Sequence, residues 1–453
     1  MKKILYIVLF TCFLLLVSGN LFAEDTPKNE VITEDDDFSI DEDFEDDEDI
    51  SSDENVDKGS EEKSIRIGGH LKLHTSYNFA HESTSEYDGL SSLKSEAMLE
   101  IDAKLFGNWK FYVNGSAFYD VAYDINGDNK YTDEVLDDYE DDGELKEAYI
   151  SGSLTDWMDL KTGRQIVVWG KSDYIRVTDV LNPLNLQEPG LTDIKDLRLP
   201  VAMTKLGFFF GDFSLYAIAV HEHRYNKMPS YGSDFYMYPY NVPNEEFPEN
   251  TLKNNEYAFS LEGNFTGWDL AFYYFDGYDD TFYVESFIKK HARIKMYGAT
   301  INAAFGNFLY KAESAYFEDL KYTNSTETYS RNDNLIGFEY SGITDTTVSL
   351  EVMNKFIIDF DDSIKTGGQD ENIVQSVFRI SRDFFNEKLN LAFIALTLGD
   401  GDEGAYQRFT AEYEWTDSIK LYGGVIFYKT GTNTMFSDIG NNDRFFLDIT
   451  YTF

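Results

Sequence analysis

The 453-residue chain holds a single cysteine, Cys12, only eight prolines, and 38 Lys and Arg against 82 Asp and Glu. Cys12 lies in the N-terminal apolar stretch. The remainder therefore has no disulfide, no thiolate nucleophile and no thiolate metal ligand. A formal charge of −44 excludes the basic surface that phosphate backbones require. Beyond the N-terminus no apolar run approaches the roughly 18 residues of a membrane-crossing helix. What is abundant is rings: 5 Trp, 32 Tyr and 37 Phe. A disordered chain does not carry so many aromatics, and an acidic, proline-poor, aromatic-rich composition fits a large β protein.

The first 23 residues read as an export signal. Lys2 and Lys3 precede an apolar stretch from Ile4 to Val17, and Leu21-Phe22-Ala23 follows as a cleavage region. Residues 24–63 contain 20 Asp and Glu against 3 Lys. Like charges at that density cannot be desolvated together, so this piece is expected as a disordered acidic tail. Phe38, Ile40, Phe44, Ile50 and Val56 are scattered through it, a pattern able to dock on a basic groove of a periplasmic or inner-membrane export partner.

From residue 65 the chain alternates with period two. In Glu96–Leu105 one face is Ala97, Leu99, Ile101, Ala103 and Leu105; the other is Glu96, Met98, Glu100, Asp102 and Lys104. Such strands put one face in an apolar and one in a polar medium. About eighteen runs of this kind lie between Ile65 and Phe453. Short turns are expected near Gly107, Asp156, Gly211, Thr266, Gly306, Thr344, Asn386 and Asp417, with longer loops between them. Short connections on one side and long ones on the other predict an all-β transmembrane antiparallel up-and-down β-barrel over residues 64–453. The even count puts both barrel ends, and the tail, in the periplasm. No proline falls inside an expected strand, as a closed ladder requires. The alternating last strand ends on Phe453, the kind of terminal aromatic that outer-membrane insertion machinery reads. Lipid and lipopolysaccharide would surround such a barrel in a Gram-negative-type outer membrane.

The expected inward faces carry both signs of charge, among them Glu96, Glu147, Lys161, Lys205, Lys311, Glu313, Glu351, Arg379, Arg408, Glu412 and Asp448. Unpaired ions in a dry core would cost several kcal/mol each, so the interior is expected to be wet or its charges paired across it, giving a polar, mixed-charge lumen.

One segment stands out. Gly163-Arg164-Gln165-Ile166-Val167-Val168-Trp169-Gly170-Lys171-Ser172-Asp173 leads into Val177-Thr178-Asp179-Val180-Leu181-Asn182-Pro183. It resembles the GRQ…WG…D…NP segment of an outer-membrane barrel family designated domain of unknown function 1302. The resemblance implies a porin-like barrel serving export or passage of lipid-like or hydrophobic compounds, and it brings no biochemical activity. From the residues themselves, alternation gives Lys161, Gln165, Trp169 and Lys171 one face, expected to line the lumen. Arg164 takes the opposite face unless a bulge at Gly163 re-aims it. The loop 171–199 is long for an exposed connection. It is expected to fold over or into the mouth, pinned by Trp169, Asp173, Asp179 and Asn182.

Asp124, Asn126 and Asp128 have the one-three-five spacing of a calcium loop, with Lys130 (through its carbonyl), Thr132 and Glu134 as further ligands. Asn129 replaces the usual glycine, and position twelve is Val135, so the acid must come from Glu134 or Asp133. His221 and His223, and His70 and His74, are two pairs that each share a strand face, without an evident third ligand for a metal. The loop 225–253 is rich in Tyr, Phe and Pro and could stack on a sugar or lipid or pack on itself.

The favoured function is a porin-like channel or export conduit narrowed by loop 171–199. Removing the leader's two lysines and the tail's net −17 from the total of −44 leaves −29 for residues 64–453, so cations should be preferred. The rivals are a surface binding or adhesion barrel using loop 225–253 and an outer-membrane lipase. No serine–histidine motif supports the lipase, so no enzymatic activity is expected.

Overall fold

The computed structural model describes residues 65–80, 89–238, 240–242 and 244–453. The export signal and acidic tail expected at 1–23 and 24–63 lie outside the described residues. Eighteen antiparallel strands form one closed sheet. They are β1 (Ile65–Asn78), β2 (Leu90–Lys104), β3 (Lys110–Asp120), β4 (Asp141–Thr155), β5 (Met158–Gln165), β6 (Val201–Phe210), β7 (Phe213–Val220), β8 (Glu256–Phe265) and β9 (Trp268–Tyr278), followed by β12 (Arg293–Phe305), β13 (Phe308–Leu320), β14 (Tyr329–Ile343), β15 (Thr346–Ile358), β16 (Asn372–Phe384), β17 (Leu389–Leu398), β18 (Gly404–Thr416), β19 (Ile419–Lys429) and β20 (Arg444–Thr452). Two short strands, β10 (Tyr283–Glu285) and β11 (Ile288–Lys290), make a hairpin inside the loop after β9.

Each strand pairs with its sequence neighbours, and β20 returns to β1 from Thr452 opposite His70 to Arg444 opposite Asn78. Closure removes the open edges that lipid cannot satisfy. All eight short turns fall where the alternation breaks, around Gly107, Asp156, Gly211, Thr266, Gly306, Thr344, Asn386 and Asp417. The long loops lie at the opposite end. Outward positions are apolar and exposed, including Leu99, Phe272, Ile301 and Ile336. At the short-turn end Phe106, Trp157, Phe210, Phe305, Phe385 and Trp415 form a ring of exposed aromatics, as at a membrane–water boundary.

The wall is uneven. Strand β5 stops at Gln165, while β4 continues seven residues past its last β5 pair, Ala148–Arg164. The chain leaves the wall there and returns at Val201, and the segment between fills part of the barrel.

Candidate functional site

Residues 166–200 enter the barrel as two limbs that behave differently. The first, 166–183, packs against the inner surface of β6 to β16. Val167, Trp169, Ile175, Val177 and Leu181 join Met203, Ala258, Phe275, Met296, Leu335 and Met353 in one buried cluster, and the Trp169 ring lies 4.9 Å from that of Tyr273. This half of the interior is closely packed and dry, and of the two expected arrangements it is the one in which charges are paired.

Two glutamates on the barrel wall anchor this limb. Glu313 of β13 accepts from the backbone N–H of Lys171, from Ser172 N at 2.6 Å, and from Thr178 N and Oγ1 at 3.3 and 3.0 Å. Glu351 of β15 accepts from Ser172 Oγ at 2.7 Å, Asp173 N at 2.9 Å and Tyr174 N at 3.1 Å. A buried carboxylate costs several kcal/mol, and bonds of about 1.5–3 kcal/mol each to a charged acceptor offset that cost. Gly170 has φ +89, and a Cβ there would meet Glu313 Oε1 at 2.9 Å, so only glycine lets the backbone reach this anchor. Ion pairs add to the hold. Lys311 closes on Asp173, and Lys171 lies 3.0 Å from Asp269.

The structure places the other segment residues as follows. Asp179 accepts from Trp169 N at 3.3 Å and from Arg198 Nε at 2.9 Å. Asn182 is fully buried where the chain leaves and re-enters the wall. It accepts from Val167 N at 2.8 Å and donates to Gln165 O at 3.2 Å and Leu199 O at 2.9 Å. Gln165 is buried and donates to Met203 O at 3.1 Å. Lys161 points inward, its Nζ 3.9 Å from the centre of the Tyr149 ring.

One expectation needs correction. Because β5 ends at Gln165, Trp169 and Lys171 belong to the infolded limb and do not continue a lumen-facing strand row. Arg164 takes the face opposite Lys161 and Gln165, as the alternation gives. It lies on the outward side at the long-loop end, where it donates to Leu145 O at 2.9 Å and to Pro200 O at 3.2 Å and pairs with Glu222 at 3.2 Å. Its guanidinium caps a β4 carbonyl that lost its ladder partner when β5 stopped.

The second limb, 184–200, crosses to the opposite wall. Arg408 of β18 donates to Gly190 O at 2.8 Å and closes on Asp193, and the Tyr428 hydroxyl donates to Pro189 O at 2.7 Å. Leu191 packs with Ile426 and Tyr428. Between this limb, β1 to β4 and β16 to β20 runs a cavity of about 1,080 Å³. Its lining includes nine Lys and Arg and twelve Asp and Glu. Lys72 lies 3.5 Å from Glu96, and His74 Nδ1 lies 2.5 Å from Asp448 Oδ1. Asp383, Glu412 and Asp448 stand at one ladder level, four residues below Arg379, Arg408 and Arg444 on the same strands. On the loop, burial raises the carboxyl of Asp196 above the ordinary aspartate value; Lys195 opposes the shift, Asp193 reinforces it, and Lys72 and Arg198 oppose it.

The calcium ligand set is not assembled. Asn126 donates its amide to Leu90 O at 2.8 Å and to Tyr131 Oη at 2.8 Å. Thr132 caps Val135 N at 3.2 Å and donates to Tyr231 O at 2.6 Å, and Glu134 accepts from Asn241 at 2.9 Å. Short helical turns span Ala122–Asn126 and Asp128–Lys130. Asp124 and Asp128 do approach a carboxylate, that of Glu140, within 4.8 Å. Three largely exposed acids do not by themselves make a calcium site.

His70 and His74 both line the cavity, whereas His221 and His223 have different surroundings. His221 lies 3.0 Å from both Thr204 Oγ1 and Asn255 Nδ2, while His223 is buried beside Glu256 and Tyr278. In loop 225–253 the rings pack mainly on one another and on neighbours, as in Tyr225–Phe247, Tyr231–Tyr236 and Phe235–Tyr428.

Solved outer-membrane porins share this fold at low identity. A BenF-like porin from Pseudomonas fluorescens Pf-5 superposes with a TM-score of 0.55 at 12% identity, covering 86% of this chain and 98% of that one. OccAB1 of Acinetobacter baumannii gives 0.53 at 10%, covering 86% and 97%. OpdK of Pseudomonas aeruginosa, solved with vanillate, gives 0.51 at 10%, covering 86% and 99%. No curated protein matches the sequence. The motif at residues 163–183, the eighteen-stranded wall and a family model matching residues 75–453 agree: the chain belongs to the family described as protein of unknown function, DUF1302.

Proposed function

We propose that the protein is an outer-membrane channel for small polar solutes, with a preference for those carrying positive charge. The observation that carries this is the cavity beside the second limb, lined by twelve Asp and Glu against nine Lys and Arg. Focused negative potential concentrates cations and speeds their entry. A lining of this charge favours polar solutes over lipid-like ones. OpdK was solved with vanillate, an aromatic carboxylate. The acidic excess here argues for a different solute charge on a similar barrel. The long loops would face outward, the acidic tail the periplasm, and the exposed Phe453 ring would serve insertion. Packing of the loop 225–253 rings leaves the adhesion alternative without a supporting observation.

The test is reconstitution of the full protein in a planar bilayer under a potassium chloride gradient. Discrete conductance with a reversal potential of the cation-selective sign supports the proposal. A correctly folded barrel that passes no current, or passes chloride in preference, overturns it.

A further inference from the structure

The outward face of the strands is apolar almost throughout, and its exceptions cluster at the long-loop end, where Arg164, Arg293, Lys295 and Asp276 lie. In the short-turn half, among the described strands, one charged side chain points outward: Arg382 of β16, opposite Thr346 and Leu391. It is exposed. Its guanidinium lies 5.2 Å from the centre of the Phe384 ring, two residues before the turn at 385–388. An arginine at a hydrocarbon boundary needs an anion or water, and its long stem lets the charge reach the headgroup layer.

Beside Arg382 the wall is hollowed. At the same ladder level stand Leu391, Ala411 and Gly423, and one level further from the turns stand Ile380, Phe393, Phe409, Val425 and Phe445. The two small residues sink the surface between larger ones, leaving a groove of about 540 Å³ with an almost wholly apolar lining and Arg382 at its turn-side end. An apolar slot with one cation at the headgroup level is complementary to a molecule with an acyl chain and a phosphate. A second copy of the barrel would bring another apolar wall, with no anion for Arg382.

We propose that this groove on β16–β20 is a binding site for one phospholipid of the periplasmic leaflet, its acyl chain over Ala411 and Gly423 and its phosphate on Arg382. The proposal rests on the outer-membrane placement above, because it takes the short-turn end as periplasmic. It does not depend on conduction.

The full protein, purified in detergent and stripped of lipid, is mixed with phosphatidylglycerol or with diacylglycerol and examined by native mass spectrometry. The wild type should retain one phosphatidylglycerol at least tenfold more strongly than diacylglycerol. Arg382→Gln should bring that ratio close to one. Ala411→Phe, at an exposed position where the ring fills the groove, should lose both adducts. Both variants should keep heat-modifiable gel migration and wild-type conductance, so loss of conductance would count against the channel and leave the groove to be judged on its adducts. Equal phosphatidylglycerol retention in wild type and both variants overturns the proposal. So does a dimer of the Ala411→Cys variant cross-linked through that cysteine, which would assign the groove to a second copy.

Discussion

The barrel interior is two different solvents. Along β6 to β15 the inner residues are Met203, Ile218, Ala258, Phe275, Met296, Ala315, Leu335 and Met353, covered by the first limb of the infolded loop. Along β1 to β4 and β16 to β20 they include Lys72, Lys94, Glu96, Glu147, Arg379, Glu412 and Asp448, which line the cavity, beside an apolar patch where Leu191 packs on Ile426 and Tyr428. The same fold and pleat therefore build a protein core on one side and a charge-lined cavity on the other. The charges in the dry half are met by protein groups: Glu313 and Glu351 take up backbone N–H groups of the loop, Lys311 closes on Asp173, and Arg331 pairs with Asp333 at 3.0 Å, as burial requires. The charges of the wet half face the cavity, several of them in ion pairs such as Lys72 with Glu96 and Arg408 with Asp193.

The largest effect should come from breaking the dry half. Replacing both Glu313 and Glu351 with Ala strands the amides of residues 171–174 and 178, each at a cost of about 1–3 kcal/mol. The first limb should detach, single-channel conductance should rise several-fold, and protease should cut between 171 and 178. Unchanged conductance in a folded double variant would mean the apolar packing alone holds the limb. A smaller effect is expected from Arg408→Gln, which releases only the second limb by removing its bonds to Gly190 and Asp193. Conductance should increase modestly and fluctuate more, with no new protease site at 171–178. A new site there would show that the limbs move as one.

A third comparison bears on charge. Converting Asp383, Glu412 and Asp448 to amides should lower the cation-to-anion permeability ratio, read from the reversal potential, without changing the thermal unfolding of the barrel. The equivalent change at Glu313 should alter stability before selectivity. If both changes shift selectivity equally, the boundary between the two halves is not where the packing puts it.

Much of this was legible in the residues. Alternation and turn positions gave strand number, turn sites and the inward set, because side chains change face at every residue of a pleated strand. The infolded loop was legible from its length and from Asp179 and Asn182, whose side chains can bond the loop backbone. The division of the interior was not. Glu313 and Glu412 look alike on alternating strands, and what separates them is a loop some 140 residues away from the first. The end of β5 at Gln165 was hidden for a related reason. Val167-Val168-Trp169 has every local preference of a strand, and its tertiary contacts take it into the core. In the loop with calcium-like spacing, Asp124 and Asp128 do converge, but with Glu140 as the third acid, a partner that one-three-five spacing alone does not specify.

The smallest predicted effect concerns Asp196, on the second limb and in the lining of the wet half. Burial is the main cause of its raised pKa; Asp193 adds to it, while Lys195, Lys72 and Arg198 oppose it. A carboxyl whose folded pKa exceeds its unfolded one binds more protons when folded, so its contribution to stability is fully present below the unfolded pKa and is lost as pH rises through the folded pKa. Acidification through that window should therefore settle the second limb and also remove one negative charge from the passage. Both changes act on the wet half and neither on the anchors in the dry half. Cation preference should fall at a pH above that of an ordinary aspartate, with a slight drop in conductance. In Asp196→Asn that part of the pH dependence should be absent, and at neutral pH the variant should be as stable as the wild type or slightly more so. The measurement is the reversal potential and conductance of both proteins from pH 7 down to pH 4. If the two proteins follow the same curve, Asp196 does not titrate in the passage, and the second limb is held by Arg408 and its apolar contacts alone.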